Sequence, residues 1–418
     1  SLVRKKSGSI AVFNSLGWGR SELVPLPKGF TAASDEHGRA LACQKVADTV
    51  CAQVWLPPCG YTTIRRSRRT RTENRSAPRS MRIVETDVLR VKFDEAGGIT
   101  GIVDTETKRE LCAGPCNVLQ MYRDVPSTYD AWDIESNYSL CPVALKGKAT
   151  FKSVADGPLV WVRRVRRRLN ESDLTQDIIL RAGSRRIDFA TTIVWRETHK
   201  LLKVNFPVDI RATEALHEIQ FGYIGRPNHK SRPLDVGQFE VCNHKWTALV
   251  EQGRGAAVLN DCKYGVNVDG NSINLTLLRS PAAPDMNADK GVQEFTYGLF
   301  FWNGPFIDSN LVREAYQLNS PPFAVAGDGG TQSMLSVDAP NVVIETVKAA
   351  EDGSGDVIVR LYESMRCTTR CALTCRPKPR RAEITDMLEN RLRPVAVKNG
   401  RIALELRPFE IQTLRLRF

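Results

Sequence analysis

The sequence is short of several things, and each shortage excludes something. No apolar run approaches the ~20 residues needed to span a bilayer, so no membrane association is expected. No Met stands at position 1, and the opening Ser1-Leu2-Val3-Arg4-Lys5-Lys6 lacks the apolar core of a signal peptide. The chain is therefore expected to open in mid-protein or to have been processed. Histidine is scarce: His37, His199, His217, His229 and His244 are the whole set. None falls in a His-x-Asp, His-Asp or His-x₃-His spacing, whereas catalytic zinc needs about three protein ligands. No metal site is expected in this chain. The stretch Ala326-Gly-Asp-Gly-Gly330 has neither a following Lys-Ser/Thr nor a helix, so it reads as an inter-domain turn and not as a phosphate cradle.

Cysteine is present but unpatterned. Eleven is an odd number, there is no Cys-x-x-Cys, and the scatter fits a reducing compartment, the cytoplasm, better than a secreted scaffold. Cys367, Cys371 and Cys375 recur every fourth residue, which would align three thiols on a helix. The preceding Val357-Ile-Val-Arg-Leu-Tyr-Glu363 reads as strand, which argues against that helix. The formal net charge is +12. Much of it lies in two runs, Arg65-Arg66-Ser-Arg68-Arg69-Thr-Arg71 and Arg163-Arg164-Val-Arg166-Arg167-Arg168. The first has no interleaved aromatic for base stacking and reads as a solvated loop. The second alternates with Leu159, Trp161, Val162 and Val165 and reads as a strand with one charged face. No nucleic-acid partner is expected.

The dominant period is two. Ile187, Phe189, Ile193 and Trp195 alternate with Asp188, Thr192 and Arg196, and Ile402, Leu404 and Leu406 alternate with Glu405 and Arg407. This is the pattern of half-buried antiparallel strands. Short strands with turn residues between them predict an all-β chain of antiparallel β-sandwiches and argue against a parallel α/β sheet. One helix is predicted over 308–316, capped by Asp308 or Ser309. At 418 residues two or three domains are expected: a small β-sandwich at 1–78, a large unit at 79–330 and a second small sandwich at 331–418. The Arg- and Ser-rich stretch 65–80 is the expected linker.

Several blocks in register carry a resemblance. They are Val12-Phe-Asn-Ser-Leu-Gly-Trp18, Asn117-Val-Leu-Gln-Met-Tyr122, Tyr129-Asp-Ala-Trp-Asp-Ile-Glu135, and His199-Lys-Leu-Leu-Lys-Val-Asn-Phe-Pro207. They continue with Gly222-Tyr-Ile-Gly-Arg-Pro-Asn-His229, Phe239-Glu-Val-Cys-Asn-His-Lys-Trp246, Leu259-Asn-Asp-Cys-Lys-Tyr-Gly265, Leu278-Arg-Ser-Pro281 and Pro408-Phe-Glu-Ile-Gln-Thr-Leu414. Together they resemble the carboxy-terminal half of family 38 glycoside hydrolases, the α-mannosidases. Val194, Gln293 and Trp302 depart from the residues usual there. The resemblance implies a large galactose-mutarotase-like supersandwich flanked in sequence by two smaller β-domains. It implies a parent enzyme that hydrolyses terminal α-mannosides with retention, using zinc and an aspartate nucleophile of an amino-terminal catalytic domain. No positions here match those ligands. The implied partners are an α-mannoside glycan or oligosaccharide and that catalytic domain. Surface left bare by its absence would favour a homo-oligomer.

The candidate substrate-binding residues are Tyr129, Asp130, Trp132, Asp133, Arg226 and His229. Aromatic faces stack on sugars and carboxylates accept from hydroxyls, so the 129–133 loop could form an active-site rim. The competing reading is a structural loop with Trp132 buried and both carboxylates bonded to backbone amides. No catalytic residue is assigned to this chain. Two further readings stay open. One is a non-catalytic carbohydrate-binding protein. The other is a mutarotase-like epimerase using His229 or His244 with Glu240 or Glu251. Asp261 and Lys263 read as structural.

Overall fold

A computed structural model of the chain describes residues 3–4, 6–69 and 80–418. The division at 78 and most of the 65–80 linker lie outside the described residues. The elements are overwhelmingly antiparallel strands, as the period-two pattern requires. They form two compact units, one of Ser1–Glu73, Gln220–Tyr223 and Ser320–Phe418, the other of Asn74–Ile219 and Ile224–Asn319.

The second unit is built on two large sheets. One has nine strands, in which Ala149–Asp156, Val160–Leu169, Ser172–Arg181, Arg186–Trp195 and Gly291–Asn303 are consecutive neighbours. The other has six, in the order Pro142–Val143, Val118–Arg123, Lys200–Pro207, Ser272–Leu278, Gly265–Asp269 and Val241–Cys242. Alternate side chains of both sheets meet in one core, as in face-to-face sandwiches. Phe206 of the six-stranded sheet packs 5.6 Å from Phe189 and 6.0 Å from Tyr297 of the nine-stranded one. All three are fully buried, and burial of a ring of this size stabilises by roughly 1.5–3 kcal/mol.

The first unit holds two smaller sandwiches. In one, Ser9–Asn14 and Gly60–Ser67 pair with Phe323–Ala326 and Thr331–Ser333. Their core, with Val12 and Ile64, is shared with Val24 and Val54 of the Arg20–Pro25 and Thr49–Leu56 pair. Residues 320–330, grouped by sequence with the large unit, thus belong to this sandwich. In the other, Leu361, Leu373, Ile402 and Leu414 form the core.

Local details follow from alternation. Thr369–Cys375 is a strand, so Cys371 and Cys375 turn inward beside Leu373, and burial pushes both thiols up to about 11. The Arg163–Arg168 run lies in the strand Val160–Leu169, but Arg163 departs from the expected charged face. It is 1% exposed and donates to Met81 O, Ser153 Oγ and Ala155 O. Arg164 grips both oxygens of Asp177, at 2.6 and 2.5 Å. These guanidiniums are taken up within the sheet. The helix runs Leu311–Asn319, three residues later than predicted, because Phe306–Asp308 is a 3-10 turn. Ser309 Oγ accepts from the Leu311 amide at 3.2 Å, a local turn one residue ahead of the N-cap position at Asn310, whose carbonyl accepts from the Glu314 amide.

Candidate functional site

The 129–133 loop leaves the six-stranded sheet after Val118–Arg123. Tyr129 turns the chain with φ +55°, and its carbonyl accepts from the amides of Trp132 and Asp133 at 2.8 and 2.9 Å. Asp130 Oδ2 accepts from the amides of Ala282 (2.7 Å) and Ala283 (3.0 Å) and lies 3.0 Å from His199 Nε2. Burial pushes this carboxyl up, but the Ala282 amide, His199 and the Ala283 amide together outweigh it and hold it below the usual range. Asp133 is exposed and accepts from the amide of Ile134.

The loop is anchored while its aromatic rings are bare. Trp132 is 74% and Tyr129 72% exposed. The expectation of a structural loop is met by Asp130, which bonds to backbone, and corrected by Trp132, which is not buried. Arg226 and His229 stand elsewhere. Arg226 donates to Cys242 O at 3.1 Å, and His229 Nδ1 is 3.8 Å from Asp235. Their segment is fixed by Asn228, whose Nδ2 donates to Ala212 O and Gly270 O. Asp261 accepts from the Thr296 amide, and Lys263 sits 4.5 Å from the centre of the Phe295 ring.

A second constellation was not singled out from sequence. On the six-stranded sheet, Met121, Leu202, Val204, Phe206, Val266, Ile273 and Leu275 face the core. Period two then sends Gln120, Tyr122, Lys203, Asn205, Asn267 and Asn274 to the opposite face. Register aligns them: Gln120, Lys203 and Thr276 form one cross-strand row, and Asn205, Asn274 and Asn267 the next. Tyr138 and Phe239 complete the walls of a polar cavity of about 290 Å³ over this face.

Its centre is Lys203, 1% exposed. The ammonium donates to Glu240 Oε1 and to Thr276 Oγ1 (2.8 Å). Tyr138 Oη donates to the same Glu240 oxygen at 2.6 Å, and the Tyr122 and Tyr138 rings meet edge to face at 5.2 Å. Burial pulls the Lys203 pKa down, with Glu240 opposing, and burial beside Glu240 pushes the Tyr138 hydroxyl up. Lys203 therefore serves as a paired charge within the fold. The sequence signal for this site was the recurrence of polar residues at alternate positions of four strands, which a strand-by-strand reading treats as solvated faces.

None of the histidine–carboxylate pairs of the epimerase reading is supported. Glu240 is held by Lys203 and Tyr138, and Glu251 by Arg254 and the Arg211 amide. Among the described residues no group of three His, Cys, Asp or Glu side chains fits a metal ion, so no step through zinc is derived for this chain.

Two family models match. Residues 84–287 match "Glycosyl hydrolases family 38 C-terminal domain", and 341–414 match "Glycosyl hydrolases family 38 C-terminal beta sandwich domain". Human alpha-mannosidase 2C1 is 34% identical over 430 residues, covering 97% of this chain and 39% of its own length. Alpha-mannosidase G of Dictyostelium discoideum is 30% identical, covering 98% and 40%. The chain thus spans about 40% of the length of these relatives. The crystal structure of an alpha-mannosidase from Enterococcus faecalis V583 superposes with a TM-score of 0.76 over 99% of this chain and 56% of that one, at 17% identity, which is a likeness of fold. The chain belongs to glycosyl hydrolase family 38, as a carboxy-terminal β-region of that family.

Proposed function

We propose that this region serves an α-mannosidase that hydrolyses terminal α-mannosides with retention, and that an amino-terminal domain supplies the zinc and the aspartate nucleophile. Retention requires two carboxyl groups about 5–5.5 Å apart. Asp130 is committed to Ala282, Ala283 and His199, which supports placing the catalytic pair outside this chain. The observation that carries the reading is the 129–133 loop: a fixed backbone presenting the bare rings of Tyr129 and Trp132. In this proposal they form a rim that stacks on the α-mannoside oligosaccharide, and the catalytic domain is the main partner. A domain boundary at 78 and formation of a homo-oligomer belong to the same proposal.

No helix among the described residues is long and apolar enough to cross a membrane. Eleven cysteines are scattered along the chain without a Cys-x-x-Cys pair. This supports a reducing, cytoplasmic location.

The test is hydrolysis of an aryl α-mannoside by the purified chain, with and without zinc, and again after joining it to a family 38 catalytic domain. Turnover is expected only in the joined protein. Zinc-dependent turnover by the chain alone would overturn the proposal.

A further inference from the structure

Among the described residues Phe323–Ala326 is the end strand of its sheet, with Ser9–Asn14 as its one neighbour. All four residues are exposed, Phe323 by 58% and Val325 by 46%. In an antiparallel ladder only every second residue bonds to the neighbouring strand. Gly327 donates to Ser9 O at 2.9 Å, which sets the phase: Val325 and Phe323 form the hydrogen-bonded pairs with Ala11 and Phe13. The N–H and C=O groups of Ala324 and Ala326 therefore point off the sheet. Proteins protect such edges with charges, prolines or bulges. The end strand Arg391–Val395 carries Arg391, Arg393 and Pro394, and the end strand Ala149–Asp156 carries Lys152 and a register shift. Phe323–Ala326 carries none of these.

An apolar cavity of about 410 Å³ opens beside this edge. Its wall includes Phe323 itself, whose ring stacks on Phe13 at 5.1 Å, together with Met334, Leu335, Val347 and Val357. The one charged side chain of the wall is Arg376, which is exposed and has no acceptor among the described residues. Just beyond the strand, Asp328 is already balanced by Lys6 at 2.9 Å and Arg65 at 3.1 Å. The whole chain carries a formal net charge of +12. A second copy would bring the same surplus to the edge, whereas an acidic segment relieves it.

We propose that Phe323–Ala326 is a docking edge for an extended, acidic peptide segment of a partner protein. The segment adds as a further strand and takes up the N–H and C=O groups of Ala324 and Ala326. Alternate side chains of an added strand share a face. Those on the side of Phe323 and Val325 are apolar, and one of them enters the cavity. A carboxylate at the end of the segment meets Arg376. In this mode main-chain bonds supply affinity and the pocket supplies selectivity. The proposal does not rest on the α-mannosidase reading and shares no residue with the 129–133 loop.

The experiment titrates the whole chain into a fluorescein-labelled peptide, Asp-Val-Thr-Leu-Thr-Val-Asp, following anisotropy and amide hydrogen exchange. Binding is expected, with exchange slowed at Ala324 and Ala326. Ala324→Pro removes one outward N–H and spares the ladder to Ser9–Asn14. It should weaken binding by about tenfold, as loss of a hydrogen bond to a ligand does. Ala324→Val keeps the N–H and should bind like the wild type. Arg376→Gln should weaken binding by about threefold, as loss of an exposed ion pair does, and flatten its salt dependence. Near-ultraviolet circular dichroism checks that each variant is folded. If Ala324→Pro is not, the wild-type exchange map and Arg376→Gln decide the matter. No binding, binding without protection of Ala324 and Ala326, or equal binding of the peptide with Lys in place of Asp would overturn the proposal. So would self-association of the chain that Ala324→Pro abolishes, which would assign the edge to a second copy. Failure of the joined enzyme to turn over mannoside would leave these results untouched, so the two readings fail separately.

Discussion

Arg279 and Asp124 form an ion pair, Nε to Oδ2 at 2.6 Å, with the Asp124 side chain 2% exposed. From that anchor the same guanidinium donates to the carbonyls of Asp130 (3.2 Å), Ala131 (3.4 Å) and Asp133 (2.5 Å). One arginine thus fixes the backbone from which Tyr129 and Trp132 project. Its planar fork of donors suits this work in a way a lysine could not match.

Removing that arginine should loosen the loop and destabilise the unit. Arg279→Met leaves Asp124 buried without its countercharge, a loss of about 3–5 kcal/mol for such pairs. Urea unfolding would measure it. Arg279→Met combined with Asp124→Leu should recover part of the loss, because no lone charge is then left buried. Equal destabilisation in both would show that the pair itself does not matter.

Trp132 should separate stability from activity. Being 74% exposed, it can be changed to Ala with a stability change within about 0.5 kcal/mol. In the enzyme joined to its catalytic domain, Trp132→Ala should raise KM severalfold. A drop in melting temperature with unchanged kinetics would assign the ring a packing role instead.

Acid should weaken the carboxy-terminal sandwich through Asp356. Its bond to Arg417 outweighs the upward push of burial and, with Arg415, holds the carboxyl at about 2. The folded value lies below the unfolded one of about 3.9. The stabilisation is therefore full above about 4 and is lost as pH falls through about 2. Thermal melts across that window should show a steeper decline for the wild type than for Asp356→Asn, which lacks the titrating group.

Gly255 should not accept a side chain. It pairs with Trp302 across the nine-stranded sheet, and an added Cβ would lie 2.0 Å from the indole Cζ2. Gly255→Ala is expected to cost about 1–3 kcal/mol by overpacking, read as a lower urea midpoint. The double change Gly255→Ala with Trp302→His should lose less than the single one if the smaller ring makes room.

The strands were legible because alternation is a local property. Ile187, Phe189 and Ile193 announced their burial within a few residues, and Thr369–Cys375 behaved as a strand despite its helical cysteine spacing. The helix was legible, but its start and its cap slipped past Asp308 and Ser309 because nothing local distinguishes a 3-10 turn at Phe306–Asp308 from a first helical turn. Arg163 was misplaced for a related reason. Pairing between 149–156 and 160–169 shifts register at Ser153 and Ala155, and a register shift changes which side chains face inward.

By itself the sequence determined the all-β class, the antiparallel sandwiches and the family, since each rests on period two or on ordered blocks along the chain. Only the tertiary structure decided what the polar faces do. Arg279 reaches Asp124 across 155 residues, and Lys203 finds Glu240 across 37 and Thr276 across 73. Such partners are set by strand order and register, which depend on how distant segments pair. A lysine at an alternate position of a strand looks the same in sequence whether water or a buried glutamate receives its charge.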